Sequence, residues 1–272
     1  MSQVKQLRSK PEILRILEQD RLYAAYAIGD LAPELFRECD WFAANADGAA
    51  PALCLYFKGL EPRALFVLGP PEGVAAILSS ALRPGVAAFA ARPEHLPALL
   101  SLYALEHEQA MWRMALTAAT FRPAPSPAVV QLGAADIDDL NRLYKLGWGG
   151  IFAPYQIAQG IYYGLHVRDQ LVAAAGTHVV AEEYGIAAVG NVFTHPAHRN
   201  RGYATVCTSA VVAELLEIGC RDVVLNVRLD NEPALHAYRC LGFREYCQFV
   251  EAVGTRKGSW RAWVEKLWVG GG

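Results

Sequence analysis

The sequence predicts an α/β protein built as two consecutive units, each with helices packed on a mixed α+β sheet. Three observations lead there. Helical and strand patterns alternate along the whole chain, with apolar spacing switching between a period near 3.6 and a period of 2. The stretch Arg122-Pro123-Ala124-Pro125-Ser126-Pro127 interrupts that alternation, because alternating prolines fix φ, remove N–H donors and disfavour helix at each preceding residue. The segments on either side then run through a similar order of elements, as a worn duplication would. The expected organisation is a unit over 1–122, a Pro-rich linker over 123–127 and a second unit over 128–272 of the 272 residues, in line with roughly 150 residues per domain.

The first unit opens with a helix over Pro11–Gln19, with proline in its first turn and Ile13, Leu14, Ile16 and Leu17 on its apolar side. A second helix is expected over Arg21–Ile28. Strands follow at Trp41–Asn45, Ala52–Lys58 and Ala64–Leu68, separated by Gly, Pro and Asp. Then come a helix at Gly73–Leu82, a strand at Val86–Ala90, a helix at Pro93–Leu105 and a strand at Met111–Thr117.

The second unit begins with a helix over Ala135–Leu146, whose Asp136, Asp138 and Asp139 favour its N-terminus. A Gly/aromatic loop, Gly147–Tyr155, carries Trp148, Phe152 and Tyr155, which could line a pocket or simply pack. Strands are expected at Ile161–Val167, Leu171–Ala181 and Ile186–Thr194. A long helix from Tyr203 to Ile218 stops at Gly219. A strand at Asp222–Val227, a helix at Pro233–Leu241 and a strand at Phe243–Val250 complete the pattern. The tail Ser259–Trp268 suits a helix or a strand equally.

Composition narrows the function. At 53% hydrophobic and 19% charged residues, with net charge −2, the chain is not intrinsically disordered. It also lacks the general positive charge of a nucleic-acid binder. No apolar run reaches the ~18 residues of a membrane span, and Met1–Arg8 lacks the apolar core of a signal peptide. Cys39, Cys54, Cys207, Cys220, Cys240 and Cys247 form no Cys-x-x-Cys pair, which suits reduced thiols in a cytoplasmic protein. Phosphate-loop, dinucleotide and nucleophile-elbow motifs are absent from the sequence.

The informative stretch is Ile186 through Ala204: a strand, a turn started at Pro196, then Arg199-Asn200-Arg201-Gly202-Tyr203-Ala204 opening a helix. A helix N-terminus presents unpaired N–H groups and partial positive charge. Gly202 lets an anion approach the backbone, and the arginines add charged donors. A pyrophosphate cradle is the functional reading; a solvated basic cap is the plain one. By itself the pattern recurs by chance. A second element changes its weight: Asn231-Glu232-Pro233-Ala234-Leu235-His236-Ala237-Tyr238, then Leu241-Gly242-Phe243, following the next strand. His195 and His198 share a turn with no further ligand in view, so no metal is expected.

Joint order and spacing of these two elements resemble the GNAT superfamily of acyl-CoA-dependent N-acyltransferases, closely over Ile186–Phe243 and loosely from Val129. The resemblance implies acetyl-CoA, or another acyl-CoA, as co-substrate and a small-molecule amine as acceptor, with no nucleic acid or membrane partner; a homodimer stays open. It implies that the backbone of Val192, Phe193 and Thr194 holds the pantetheine arm, with Val192 polarising the thioester carbonyl. It gives Arg199, Asn200, Arg201, Gly202, Tyr203 and Ala204 the pyrophosphate and Asn231 the pantetheine region. Tyr238 becomes the acid for the departing thiolate, a task its phenol suits. Several family members carry a glutamate base where this chain has Ala188; His178, Glu182 and Glu183 are the substitutes in view. At the equivalent junction of the first unit, Leu68-Gly69-Pro70-Pro71-Glu72-Gly73, two prolines lack donors and Glu72 has the wrong charge. That half is therefore expected to be a degenerate GNAT-like domain that shapes the acceptor side, an arrangement similar to the glycine N-acyltransferase group. A non-catalytic acyl-CoA-binding regulator is the alternative.

Overall fold

The computed structural model describes residues 3–45, 50–147 and 154–258. In chain order the elements are β1 (Gln3–Leu7), α1 (Lys10–Leu17), α2 (Ala25–Gly29), α3 (Pro33–Phe36), β2 (Cys39–Asn45), β3 (Ala52–Phe57), β4 (Ala64–Leu68), α4 (Pro71–Ser80), β5 (Val86–Ala91), α5 (Leu96–Leu102) and β6 (Tyr103–Leu116). The chain continues with β7 (Val129–Gln131), α6 (Ile137–Tyr144), α7 (Pro154–Gln159), β8 (Tyr163–Val167), β9 (Gln170–Ala181), β10 (Ile186–Thr194), α8 (Tyr203–Glu217), β11 (Asp222–Arg228), α9 (Glu232–Cys240) and β12 (Arg244–Arg256).

Contacts divide these elements into two units, Met1–Trp112 joined by the chain from Cys247 onward, and Arg113–Tyr246. The limits of these units fall within β6 and β12. The linker belongs to the second unit, where the Arg122 N–H donates to Leu241 O at 2.9 Å and the Ala124 N–H to Ser209 Oγ at 2.8 Å. The last strand, expected to stop at Val250, runs to Arg256 because Val250–Thr255 pair antiparallel with β5.

In the first unit the sheet order is β1-β2-β3-β4-β5-β12. Neighbours from β1 to β4 are antiparallel, and α4 carries the chain over to β5, parallel to β4. Val74, Ile77 and Leu78 of α4 pack onto the sheet with Cys54, Val67 and Phe89. The second unit repeats the plan in the order β7-β8-β9-β10-β11. Its first neighbours are antiparallel, and α8 crosses to the parallel strand β11. Leu140, Leu143 and Tyr144 of α6 meet Tyr162, Leu171 and Ala174 beneath one face; α8 buries Cys207, Val211, Val212 and Leu215. This shared order bears out the α/β, mixed-sheet, tandem expectation.

All six cysteines are free thiols. Burial pushes Cys207 up to about 12 and Cys220 to about 11, so these thiols stay protonated. Among the described residues no helix is long and apolar enough to cross a membrane.

Candidate functional site

The site gathers where β10 and β11 part. Their parallel pairing runs from Ile186↔Asp222 to Val189↔Leu225 and stops, although both strands continue. At the same level β10 bulges against β9: Gly190 faces Gly176, whereas Phe193 already faces Ala174. Two residues, Asn191 and Val192, therefore stand opposite one, and Asn191 takes a left-handed φ of 52°. The Gly-Asn pair inside a strand was the signal for this bulge.

Asn191 is 3% exposed and fully engaged. Its carbonyl accepts from the Tyr144 hydroxyl at 2.6 Å, its Nδ2 donates to Tyr162 Oη at 2.7 Å, and its Oδ1 lies 3.1 Å from His178 Nε2. These bonds hold the strained backbone, so the bulge is a rigid feature. Just beyond, Val192, Phe193 and Thr194 are half-buried, and Thr194 Oγ1 is buried without a partner among the described residues. An unsatisfied hydroxyl beside split strands suits a polar ligand in the gap.

The turn after β10 leads onto α8, the long helix of this unit. His195 Nδ1 accepts from the Ala197 N–H at 3.1 Å, and Arg199 Nε donates to Thr194 O at 3.4 Å. Asn200 and Gly202 both adopt positive φ, and Gly202 is the N-cap. A Cβ on Gly202 would meet no atom of the described residues within 4 Å, so among them the helix N-terminus is open, flanked by exposed Arg199 and Arg201. Tyr203 and Ala204 form the first turn and are half-buried. Free N–H groups, dipole and two guanidinium groups together can hold a doubly charged phosphate ester.

On α9, Tyr238 is 8% exposed, its ring packed edge-on against Phe243 at 6.0 Å. Asn231 caps that helix, accepting the Ala234 N–H at 3.3 Å through Oδ1. The sequence pattern that gave Asn231 a ligand contact therefore also has a structural use for it.

Residues 137–243 match the model of the acetyltransferase (GNAT) family. These residues of the second unit carry a GNAT acetyltransferase domain. Proteins of the GNAT family transfer acyl groups from acetyl-CoA. Solved structures of the same fold include the GCN5-related N-acetyltransferase from Kribbella flavida, at 17% identity and TM-score 0.61, covering 88% of this chain and 95% of that one. The corresponding Sphaerobacter thermophilus protein has 16% identity and TM-score 0.60, covering 94% and 97%. A tandem GNAT protein from the clavulanic acid biosynthesis pathway has 15% identity and TM-score 0.56, covering 94% and 99%. No curated protein matches the sequence.

Within this GNAT domain Ala188 is fully buried, paired with Val179 on one side and Val224 on the other. Glu182 and Glu183 lie in a 3-10 turn before Ile186, at the end of β10 remote from the bulge, about 16 Å away at 3.3 Å per residue. His178 is different, being held beside the bulge itself. Trp148 and Phe152, the side chain of Tyr155 and the tail from Ser259 lie outside the described residues.

The counterpart of the split in the first unit lies between β4 and β5, whose parallel pairing ends at Phe66↔Ala90. There the wholly buried Tyr23 sets its hydroxyl 3.3 Å from both Val67 O and Ala90 O. Arg92 covers the ring, 4.7 Å from its centroid, and pairs with Asp20. Below it α4 starts on Pro70 and Pro71 with Glu72 in its first turn.

Proposed function

We propose that the protein is an N-acetyltransferase that moves the acetyl group of acetyl-CoA onto a primary amine by direct attack in a ternary complex. The observation that carries this reading is the split between β10 and β11, bordered by the bulge at Asn191 and Val192 and followed by the open N-terminus of α8. The pyrophosphate would lie on the N–H groups from Arg199 to Ala204, with Gly202 allowing close approach and Arg199 and Arg201 adding charge. The pantetheine arm would enter the split as an extra strand, using the backbone of Val192, Phe193 and Thr194, with Asn231 near it. Bound so, the thioester carbonyl meets the N–H of the bulge at Val192, a fixed donor for the developing oxyanion. As the C–S bond breaks, the Tyr238 hydroxyl donates its proton to the sulfur.

The first unit supports a different task. With Tyr23 in its split and two prolines at its helix start, it is read as a degenerate GNAT-like copy that does not itself hold the pyrophosphate.

The test is a titration of the full chain with acetyl-CoA, followed by release of free CoA thiol in a mixture of amines. Acetyl-CoA at 100 times its Kd is expected to add about 2.7 kcal/mol of stability, and thiol release is expected to rise with the amines. No thermal shift would sink the acyl-CoA reading. A shift with slow thiol release that no amine accelerates would favour the acyl-CoA-binding regulator, which the absence of a carboxylate at Ala188 suggests.

A further inference from the structure

The missing glutamate leaves the amine without an obvious proton acceptor, and the bulges of β9 and β10 place one candidate beside the thioester position. Ala188 pairs with Val179 and Val189 pairs with Thr177, so His178 is the extra residue of a bulge on β9, and its side chain is re-aimed by it. The ring lies over Gly190: a Cβ built there would come 2.3 Å from His178 Nε2, so glycine makes the room. Gly190 and Ala188 are two residues apart on one strand and share a face. The imidazole thus occupies the face on which a glutamate at 188 would project, one residue before the bulge.

Hydrogen bonding also fixes which nitrogen carries the proton. The Tyr162 hydroxyl donates to Thr177 O at 3.1 Å, so it accepts from Asn191 Nδ2. That turns Asn191 Oδ1, an acceptor only, toward His178, whose Nε2 at 3.1 Å must be the donor. Nδ1 is then the basic nitrogen. Burial of the ring lowers the imidazole below its ordinary 6.5, against the opposing effect of the Asn191 bond, although the residue as a whole keeps solvent exposure. Gly190 and Asn191 of β10 are among the groups that face it, and the Tyr162 hydroxyl and the Tyr144 hydroxyl bond Asn191 in turn. Burial first, and then Tyr162, keep Tyr144 well above 10, so that phenol stays neutral.

We infer that His178 is the general base of this acetyltransferase, taking the amine proton on Nδ1 while Asn191, Tyr162 and Thr177 hold its Nε2–H tautomer. The inference rests on the acetyl-transfer reading above. The neutral amine attacks the thioester carbon, and the carbonyl pair moves to oxygen. As the N–C bond forms, Nδ1 takes one proton from nitrogen. The tetrahedral intermediate collapses with loss of the C–S pair to sulfur, which takes the Tyr238 proton. A proton passing through solvent from imidazolium to phenolate restores both groups, leaving amide and CoA thiol.

The experiment compares the full-length wild type with His178→Gln, whose amide keeps a donor for Asn191 Oδ1. Thiol release from acetyl-CoA is followed from pH 5 to 8 in a mixture of the common amino acids and spermidine. The wild type is expected to be about a hundredfold faster at pH 7–8, within the usual range for general-base catalysis. That ratio should shrink toward pH 5, as the imidazole becomes protonated and ceases to act. Equal rates at pH 7 would overturn the inference. So would a ratio that is constant with pH, which marks a purely structural role. Nitrogen NMR of the histidine-labelled protein, with the His178 signals identified by their loss in His178→Gln, gives a second readout: an Nε2–H neutral ring at pH 7 is expected, and an Nδ1–H or charged ring would overturn the inference. Acetyl-CoA should raise the Tm of both proteins alike. A shift absent from the wild type would refute the acetyl-transfer reading itself, whereas a shift present in both with equal rates would refute only the role of His178.

Discussion

Replacing Gly202 by glutamate, with Gly202→Ala beside it, separates the shape of the α8 N-terminus from its charge. Gly202 has φ 75° and open space around a would-be Cβ, so either side chain fits without a clash. Both variants carry the left-handed cost of an L residue, about 1–2 kcal/mol, and should lose a few degrees in Tm without ligand. They differ in what they do to a phosphate. A carboxylate about 4 Å from one phosphate charge costs about 1 kcal/mol in water and about 4 kcal/mol at an effective dielectric of 20. Affinity then falls by roughly 5-fold to 1000-fold. At an acetyl-CoA concentration of 100 wild-type Kd, the stabilisation of about 2.7 kcal/mol drops to about 1.8 in the mild limit and nearly to zero in the strong one. The assay is differential scanning fluorimetry of the three proteins with and without acetyl-CoA. The alanine variant should keep most of its ligand shift and the glutamate variant should not. Equal ligand shifts in the two variants would refute the pyrophosphate cradle.

Other expectations are independent of that one. Tyr238→Phe should lower kcat by about a hundredfold through loss of a general acid while leaving the acetyl-CoA thermal shift intact; unchanged turnover would remove Tyr238 from the acid role. Gly242→Ala should cost about 3 kcal/mol or more, because φ is 97° and a Cβ would sit 1.9 Å from Thr120 O; denaturant titration measures it, and a loss below about 1 kcal/mol would contradict the geometry. His95 is 1% exposed, donates from Nε2 to Gly69 O at 2.7 Å, and has its pKa lowered by burial. The unfolded chain therefore binds a proton first as the pH falls below 6.5, so stability drops until the lower folded value is passed. His95→Gln should flatten that part of the stability–pH curve, and an unchanged slope would assign it elsewhere.

Much of the fold is legible in the sequence wherever the signal is local. Ala64–Leu68 and Ile186–Thr194 have the bounds that their apolar runs announce, and α8 starts at Tyr203 behind its glycine as read. Missing were Gln3–Leu7, Val129–Gln131, Pro33–Phe36 and Pro154–Gln159. The first two are short edge strands that alternate too little to stand out, and the helices are too short to show a period. The destination of β12 was hidden for another reason. Its register with β5 is a pairing between residues more than 150 positions apart, and nothing within either segment encodes the partner. The candidate site divides in the same way. Gly202 and Tyr238 stand in motifs, whereas the alignment of His178 with Asn191 depends on two bulges in neighbouring strands, and periodicity alone assigns such residues to the wrong face.

Tyr23 has an implication for how the two halves respond to the cell. A phenol whose single O–H lies within 3.3 Å of both Val67 O and Ala90 O fills from within the chain the kind of gap that, in the other half, a diffusible molecule would have to fill. On the acetyl-transfer reading proposed above, the stability of the other half should rise with the logarithm of free acyl-CoA, whereas Tyr23 is in place at every concentration. When the cosubstrate is scarce, protection from hydrogen exchange in residues 113–246 should therefore fall, and it should return as the pool refills.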